Sequence, residues 1–326
     1  MKVCFVNRDN RQGAFSIEEI YNRIRYQLKN MIDITEYVYP ANSNKIRGIL
    51  DVKKIDADIF HITGDVNFLA YGVKKNLIIT IHDLGHYEKT LKGLKKTIYK
   101  YLWLKFPLKK AKYIVAVSNF TKNRLLENYK IDPQKIKVIY NPYPEEFHFT
   151  KKIFNKNRPV ILQIGSGMNK NVEGLIEAVK ELPCKLIFIR KKNENLSNYL
   201  KRLKIDHEFH DNLKYEDVAD KYIESDLVYF ASTYEGFGMP IVEANAIGRP
   251  VITSNLASMP EIAGNAACFV DPYDPMSIRK GIFKIISDEK YRNMLIEKGV
   301  KNLKRFKIEN IALKYLELYR CSSDRN

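Results

Sequence analysis

Short runs of apolar, β-branched residues alternate along this chain with longer segments in which apolar positions recur every three or four residues. Unbroken apolar runs suit strands buried on both faces, and the longer period suits helices with one covered face. KVCFV near the start reads as the first strand, and SIEEIYNRIRYQLKN as the helix after it. Ser16 is that helix's natural N-cap, with Glu19 three residues on, the spacing of a capping box. DIFHI (58–62), NLIITI (76–81), KYIVAV (112–117) and KIKVIY (135–140) are further strands, and Ser118 caps the helix NFTKNRLLENY.

NPYPEEFHFTKKIFNKNRP (141–159) breaks the pattern with prolines, charges and no period, as an inter-domain connection does. The alternation then restarts. PVILQIG (159–165), CKLIFIR (184–190), SDLVYFAS (225–232) and PVITS (250–254) read as strands. Two long C-terminal helices follow, at about 274–304 with a break and at 308–320. Strand–helix alternation predicts parallel, doubly wound sheets, and seeing it twice predicts two such domains. The boundaries expected are 1–147 together with a C-terminal helix at about 306–326, and 148–305.

Composition narrows the class. The 326 residues suffice for two cores, and 45% hydrophobic with 29% charged residues is usual for a soluble globular protein. No apolar run reaches membrane-spanning length, and the N-terminus is too short and polar for a signal peptide. Cys4, Cys184, Cys268 and Cys321 are far apart, which predicts buried free thiols in a reducing compartment. The net charge of +17 fits three readings: solvated lysine, a polyanionic partner, or an anionic membrane or phosphate-bearing substrate. Residues 88–112 carry nine lysines against one glutamate, with leucines and aromatics between them. This segment reads as an amphipathic basic helix, either interfacial or packed on its own sheet.

In open parallel sheets, ligands bind beyond the carboxyl ends of the strands. After LIITI comes His82-Asp83, after PVILQIG comes SGMNKN, after DLVYFAS comes TYEGFGMP, and after PVITS comes NLASMPE. Gly236 and Gly238 let backbone approach a ligand, and Pro240 suits a helix start. The free N–H groups of that helix start are an anion seat, and Lys170 can add charge. Glu243 inside the helix and Glu235 on the loop can accept hydrogen bonds from hydroxyls on either side. A phosphate seat flanked by two hydroxyl readers matches a nucleoside diphosphate sugar.

Glu235 to Glu243 has the E-x7-E spacing of retaining family 4 glycosyltransferases, and EGFGMPIVEANAIGRPVITSN resembles their signature segment. LIITIHDL, YIVAVSNFTK, KVIYNPYPEEF, ILQIGSGMNKNVEGLIEAV and MPEIAGNAACFVDPYDP are also similar to family segments, in order. The resemblance implies the α/β GT-B fold: two Rossmann-like domains, an interdomain cleft, and a C-terminal helix crossing back to the first. It implies an N-terminal acceptor domain and a C-terminal nucleotide-sugar domain. By position, Glu235 would face the donor sugar and Glu243 the ribose. The backbone of Phe237, Gly238 and Met239 would lie along sugar and diphosphate, with Gly165 and Asn171 also on the donor side. Lys170 would neutralise the leaving diphosphate, and His82 would reach the donor from the other domain. Arg8, Arg11, Gly13 and Asp83 fall on the acceptor side. Two departures stand out. GSGMNKN lacks the arginine that many relatives carry before the lysine, which leaves Lys170, backbone amides and Arg190 to meet the diphosphate. NRDNRQGAFSIEE offers one glycine where many relatives have two, a change that could suit a phosphorylated acceptor.

The expected reaction is transfer of a sugar, with retention, from a nucleotide sugar to a glycan or a polyprenyl- or other lipid-linked acceptor, in cell-surface polysaccharide or lipopolysaccharide synthesis. A nucleoside diphosphate leaves without an acid, so neither a glycosidase-like carboxylate pair nor a metal or other cofactor is expected. Asp56 and Asp58 precede a strand instead of ending one, and His207 with His210 lack further ligands. His61 and His86 receive no role. An epimerase or phosphorylase on the same fold and a basic nucleic-acid-binding protein remain as alternatives, the last without a recognition motif. The expected location is the cytoplasm, with residues 88–112 available for peripheral attachment to the inner face of the plasma membrane.

Overall fold

A computed structural model describes residues 1–9 and 16–323. The chain forms two compact units, Met1–Pro142 with Lys307–Asn326, and Tyr143–Phe306. The division falls at Pro142 because Tyr143 donates its N–H to the Phe306 carbonyl at 3.1 Å. Phe147, fully buried, also packs on Tyr215 and Tyr222 of the second unit.

The first unit is a six-stranded parallel sheet: β1 (Lys2–Arg8), β2 (Asp33–Tyr39), β3 (Ile59–Ile62), β4 (Leu77–Ile81), β5 (Tyr113–Ala116) and β6 (Ile136–Val138). The order across the sheet is β2-β1-β3-β4-β5-β6. β1 and β3 to β5 are buried apolar runs, as central parallel strands must be. The C-terminal helix Ile308–Ser323 belongs to this unit and packs on helix Ser16–Leu28. A buried polar network joins it to the sheet. His61 Nδ1 lies 2.7 Å from the Tyr319 hydroxyl and Nε2 lies 2.8 Å from the Thr80 hydroxyl, while Tyr21 bridges Thr80 and Tyr315. Burial drives the His61 pKa down to about 3, with His82 adding to the shift. This histidine therefore holds structure together as a neutral ring.

Residues 88–112 are not one helix. A wide turn at His86–Thr90 ends at extended Lys92, after which helix Gly93–Tyr99 runs through a second wide turn, Lys100–Lys105, into helix Phe106–Lys110. The wide turns shift the side-chain period, so two faces result. Leu104 and Leu108 enter the core, whereas Leu94, Ile98, Tyr101, Leu102 and Phe106 are exposed. Among the described residues, no helix is long and apolar enough to cross a membrane. Cys4, Cys184 and Cys268 are buried free thiols, but Cys321 is exposed on the C-terminal helix, against the expectation for all four.

The second unit is also a six-stranded parallel sheet: β7 (Val160–Ile164), β8 (Lys185–Ile189), β9 (Asp206–His210), β10 (Leu227–Phe230), β11 (Val251–Ser254) and β12 (Cys268–Val270). The order β12-β11-β10-β7-β8-β9 places the unit's first and fourth strands side by side at the centre. Connections leave in opposite directions from β7 and β10, which opens a crevice at their carboxyl ends. Arg249, buried at the end of the helix that follows β10, donates to the carbonyls of Tyr222, Ile223, Ser225, Thr150 and Ile247. It satisfies helix-end acceptors beneath the crevice, and burial lowers its pKa to about 10.

Candidate active site

Both loops at this switch point bend where the sequence permits it. The loop after β7 turns at Gly165 (φ +96°) and again at Asn171 (φ +52°), which opens helix Val172–Val179. Left-handed backbone is cheap for glycine and tolerable for asparagine. The loop after β10 ends at Gly238 (φ +110°), the N-cap of helix Met239–Ile247, with Pro240 in the first turn. The free N–H groups of that helix therefore face the crevice end of the sheet.

Side chains tie the two loops together. Lys170 Nζ lies 2.6 Å from Glu235 Oε1 and 4.8 Å from the centre of the Phe230 ring. The Asn169 amide donates to the same carboxylate oxygen at 2.9 Å and to the Tyr234 carbonyl at 2.8 Å. The Ser258 hydroxyl, fully buried, stands 2.9 Å from the Glu235 carbonyl and 2.7 Å from that of Phe237. Arg190 leaves the end of β8 and reaches to 3.5 Å from the Ser166 carbonyl on the β7 loop. A second cation thus stands beside the loop that lacks the expected arginine.

Glu243, buried in the helix, accepts the Tyr215 hydroxyl at 2.9 Å on one oxygen and the Tyr222 hydroxyl at 2.5 Å on the other. Burial and the adjacent carboxylate push the Tyr222 pKa well above its ordinary value, so the phenol remains a donor. An ionised carboxylate has about four lone-pair sites. Two tyrosine donors therefore fix its orientation.

The expected residues separate into groups. Glu235, Lys170, Gly165, Gly238 and Met239 lie on the two loops and the helix start. Phe237 is on the same loop, and its buried ring packs edge-on against Phe306. Asn171 uses its side-chain amide on Pro272, Tyr229 and Ala231, which holds the loop. Sequence reasoning marked the loops SGMNKN and NLASMPE without giving Asn169 or Ser258 a role, and it missed Tyr215 and Tyr222. The two tyrosines are seven residues apart, on one face of helix Tyr215–Glu224, a spacing that was available as a signal.

In the first unit, His82 follows β4 and its Nε2 lies 2.8 Å from the Thr63 carbonyl. A carbonyl only accepts, so Nε2 carries the proton and Nδ1 is the acceptor of the neutral ring. Burial lowers its pKa, opposed by the Thr63 carbonyl and Asp83. Asp83 accepts the Gly85 N–H at 2.7 Å, and Arg8 pairs with Glu18 at 2.5 Å. Arg11 and Gly13 lie outside the described residues. Asp58 accepts the Lys2 N–H, while His207 bonds Ser197 and His210 bonds Glu208. Among the described residues, no group of three or more His, Cys, Asp or Glu is placed to hold a metal ion.

Two family profiles match in tandem: Glycosyltransferase Family 4 over residues 5–147, and Glycosyl transferases group 1 over 144–302. The chain belongs to the family 4-like glycosyltransferases. The O-antigen chain mannosyltransferase RfbU of Salmonella typhimurium is 27% identical over 220 residues, 65% of this chain and 61% of RfbU. The uncharacterized glycosyltransferase MJ1178 of Methanocaldococcus jannaschii is 26% identical over 318 residues, 95% of this chain and 88% of its own. The solved structure of Anabaena Alr3699/HepE in complex with UDP and glucose aligns with TM-score 0.78 at 16% identity, covering 98% of this chain and 100% of that one. That of WaaG, a glycosyltransferase involved in lipopolysaccharide biosynthesis, aligns with TM-score 0.74 at 13% identity, covering 97% and 99%. Both of these glycosyltransferase structures share the GT-B fold with this family member.

Proposed function

We propose that the protein transfers a sugar, with retention and without a metal, from a nucleoside diphosphate sugar to a glycan or lipid-linked acceptor. The observation that carries this reading is the Lys170–Glu235 pair beside the start of helix Met239–Ile247, with Glu243 one further stretch along it. Charge builds on the departing diphosphate in the transition state, and fixed donors aimed there lower the barrier. Helix N–H groups, Lys170 and Arg190 are those donors. Glu235 holds the sugar hydroxyls, and Glu243 holds the ribose. The acceptor hydroxyl attacks the anomeric carbon from the face the diphosphate leaves, and the leaving phosphate oxygen takes its proton.

The O-antigen relative and the lipopolysaccharide enzyme support a cell-surface glycan as the product class. The exposed apolar residues of 94–106 among lysines support attachment to an anionic membrane. The deciding experiment is a thermal-shift panel of UDP, GDP, ADP, CMP and dTDP with their sugars. A ligand of the folded state raises the melting temperature. One nucleotide class should do so in the parent and fail in Glu243→Ala. No shift with any of them overturns the reading.

A further inference from the structure

Asn169 joins the two loops of the second unit's crevice twice over. It sits in the tight turn Met168–Lys170 after β7, half-buried beside Lys170. Its carbonyl accepts the Thr233 N–H at 2.8 Å, so the main chain alone clasps the β7 loop to the β10 loop. The side chain adds a second clasp. Its amide nitrogen donates to the Tyr234 carbonyl at 2.8 Å and to Glu235 Oε1 at 2.9 Å. Both partners only accept, so a flipped amide would set its oxygen against two acceptors, and the orientation is fixed. Gly167 leaves room for the amide oxygen, with which a Cβ at that position would collide.

Glu235 Oε1 thus has two partners of different kinds. Lys170 Nζ lies 2.6 Å away, a charged group at the end of a flexible four-carbon stem. Asn169 is short and neutral, and its amide is held by Tyr234 as well. In the proposed reaction the ammonium is needed at the departing diphosphate. A diphosphate carries more charge than one carboxylate, so the lysine is drawn to it and Glu235 loses its ion partner. Without another donor, the carboxylate would turn away from the sugar hydroxyls. The amide has no net charge to follow the phosphate, and its bond to Glu235 persists.

We propose, on the basis of the glycosyltransferase reading, that Asn169 is the positioning residue for the donor sugar. It keeps Glu235 aimed at the sugar hydroxyls while Lys170 leaves that carboxylate for the diphosphate. The Lys170–Glu235 pair is the resting arrangement, and donor binding exchanges the lysine's partner. Sugar contact and phosphate contact then have separate supports.

The full-length protein is titrated calorimetrically with UDP, GDP, ADP and dTDP and with their hexose and N-acetylhexosamine derivatives, and the variants with the pair that the parent binds. Asn169→Ala leaves the main-chain bond from Thr233 in place. It should weaken the nucleotide sugar by about tenfold or more, the worth of a hydrogen bond to a charged group, and the bare diphosphate by less than about twofold. Asn169→Asp, of the same size but without donors, should weaken the nucleotide sugar at least as much. Two double-mutant cycles separate positioning from loop support. Asn169→Ala should add nothing to Glu235→Ala, through which it acts. It should add its full effect to Lys170→Ala, because the lysine is on the phosphate in the complex. Equal loss of diphosphate and nucleotide sugar, parental affinity for the nucleotide sugar, additivity with Glu235→Ala, or a parent that binds a diphosphate but none of its sugars overturns the role. Non-additivity with Lys170→Ala overturns the exchange of partners. Failure of every nucleotide to bind the parent overturns the glycosyltransferase reading instead, so the two failures are told apart.

Discussion

A Cβ on Gly165 would stand 2.7 Å from Lys170 Cε. The glycine is thus the floor on which the lysine stem lies before it reaches Glu235. Its φ of +96° is also a backbone conformation that side chains disfavour. Gly165→Ala should therefore act twice. Strain at this φ costs about 1–2 kcal/mol of stability. The displaced lysine should lower kcat by an amount approaching that of Lys170→Ala, about 100- to 1000-fold if the ammonium meets the leaving phosphate. Urea unfolding and steady-state kinetics on both variants check this, and an alanine variant with parental kcat would remove Lys170 from the reaction.

Tyr222 and Glu243 give a second test. Tyr222→Phe removes a buried hydrogen bond to a carboxylate, worth about 1.5–3 kcal/mol. Because the hydroxyl orients Glu243 and touches no ligand in the proposed arrangement, the nucleotide Kd should rise by less than in Glu243→Ala. Isothermal titration with the nucleoside diphosphate, beside urea unfolding, separates the two effects. Equal loss of affinity in both variants would place the tyrosine itself on the ligand.

The central strands were legible because burial on both faces demands uninterrupted apolar runs, as in LIITI and LVYF. The edge strand β2, DITEYVY, was missed because one side of it is exposed and its residues alternate in character. β12 is three residues long, too short to carry a period. Residues 88–112 looked like one helix because lysine and leucine suit any helical phase, and the wide turns leave no mark in composition. The two loops were legible from Gly165, Gly236, Gly238 and the acids. Their partners were not, since Ser258 and Asn169 reach Glu235 and its backbone only through the fold.

His61 should make stability depend on pH. Unfolded, the ring titrates near 6.5, whereas in the folded state burial lowers its pKa to about 3. Between these values the unfolded chain binds the extra proton, so stability falls as pH falls. It is fully present above pH 6.5. The slope for one group is about 1.4 kcal/mol per pH unit, which gives a loss of about 2 kcal/mol between pH 7 and pH 5. His82, also shifted down, contributes in the same direction. His61→Gln should be less stable at pH 7, through its altered bonds to Tyr319 and Thr80, but should show a flatter profile. Urea unfolding at several pH values decides the matter: parallel profiles for parent and variant would show that His61 is not the titrating group.

Leu94 is 74% exposed, and Ile98, Leu102 and Phe106 share its exposure on a segment whose other face lines the first unit. Lys95, Lys109 and Lys110 are exposed among them, and Lys96 is half-buried over the Tyr87 ring. A lysine near an anionic bilayer contributes about 1 kcal/mol, and the contribution is screened within a Debye length. Replacing all four lysines by glutamine should therefore weaken binding to phosphatidylglycerol vesicles by well over tenfold. Leu94→Ser with Ile98→Ser should weaken it further, and with less dependence on salt, because apolar insertion is not screened. Neither set touches the Lys170–Glu235 loops, so transfer to a water-soluble acceptor should persist at the parental rate. Vesicle sedimentation at low and high salt measures both terms, and binding that survives the lysine replacements unchanged would leave this face without a membrane role.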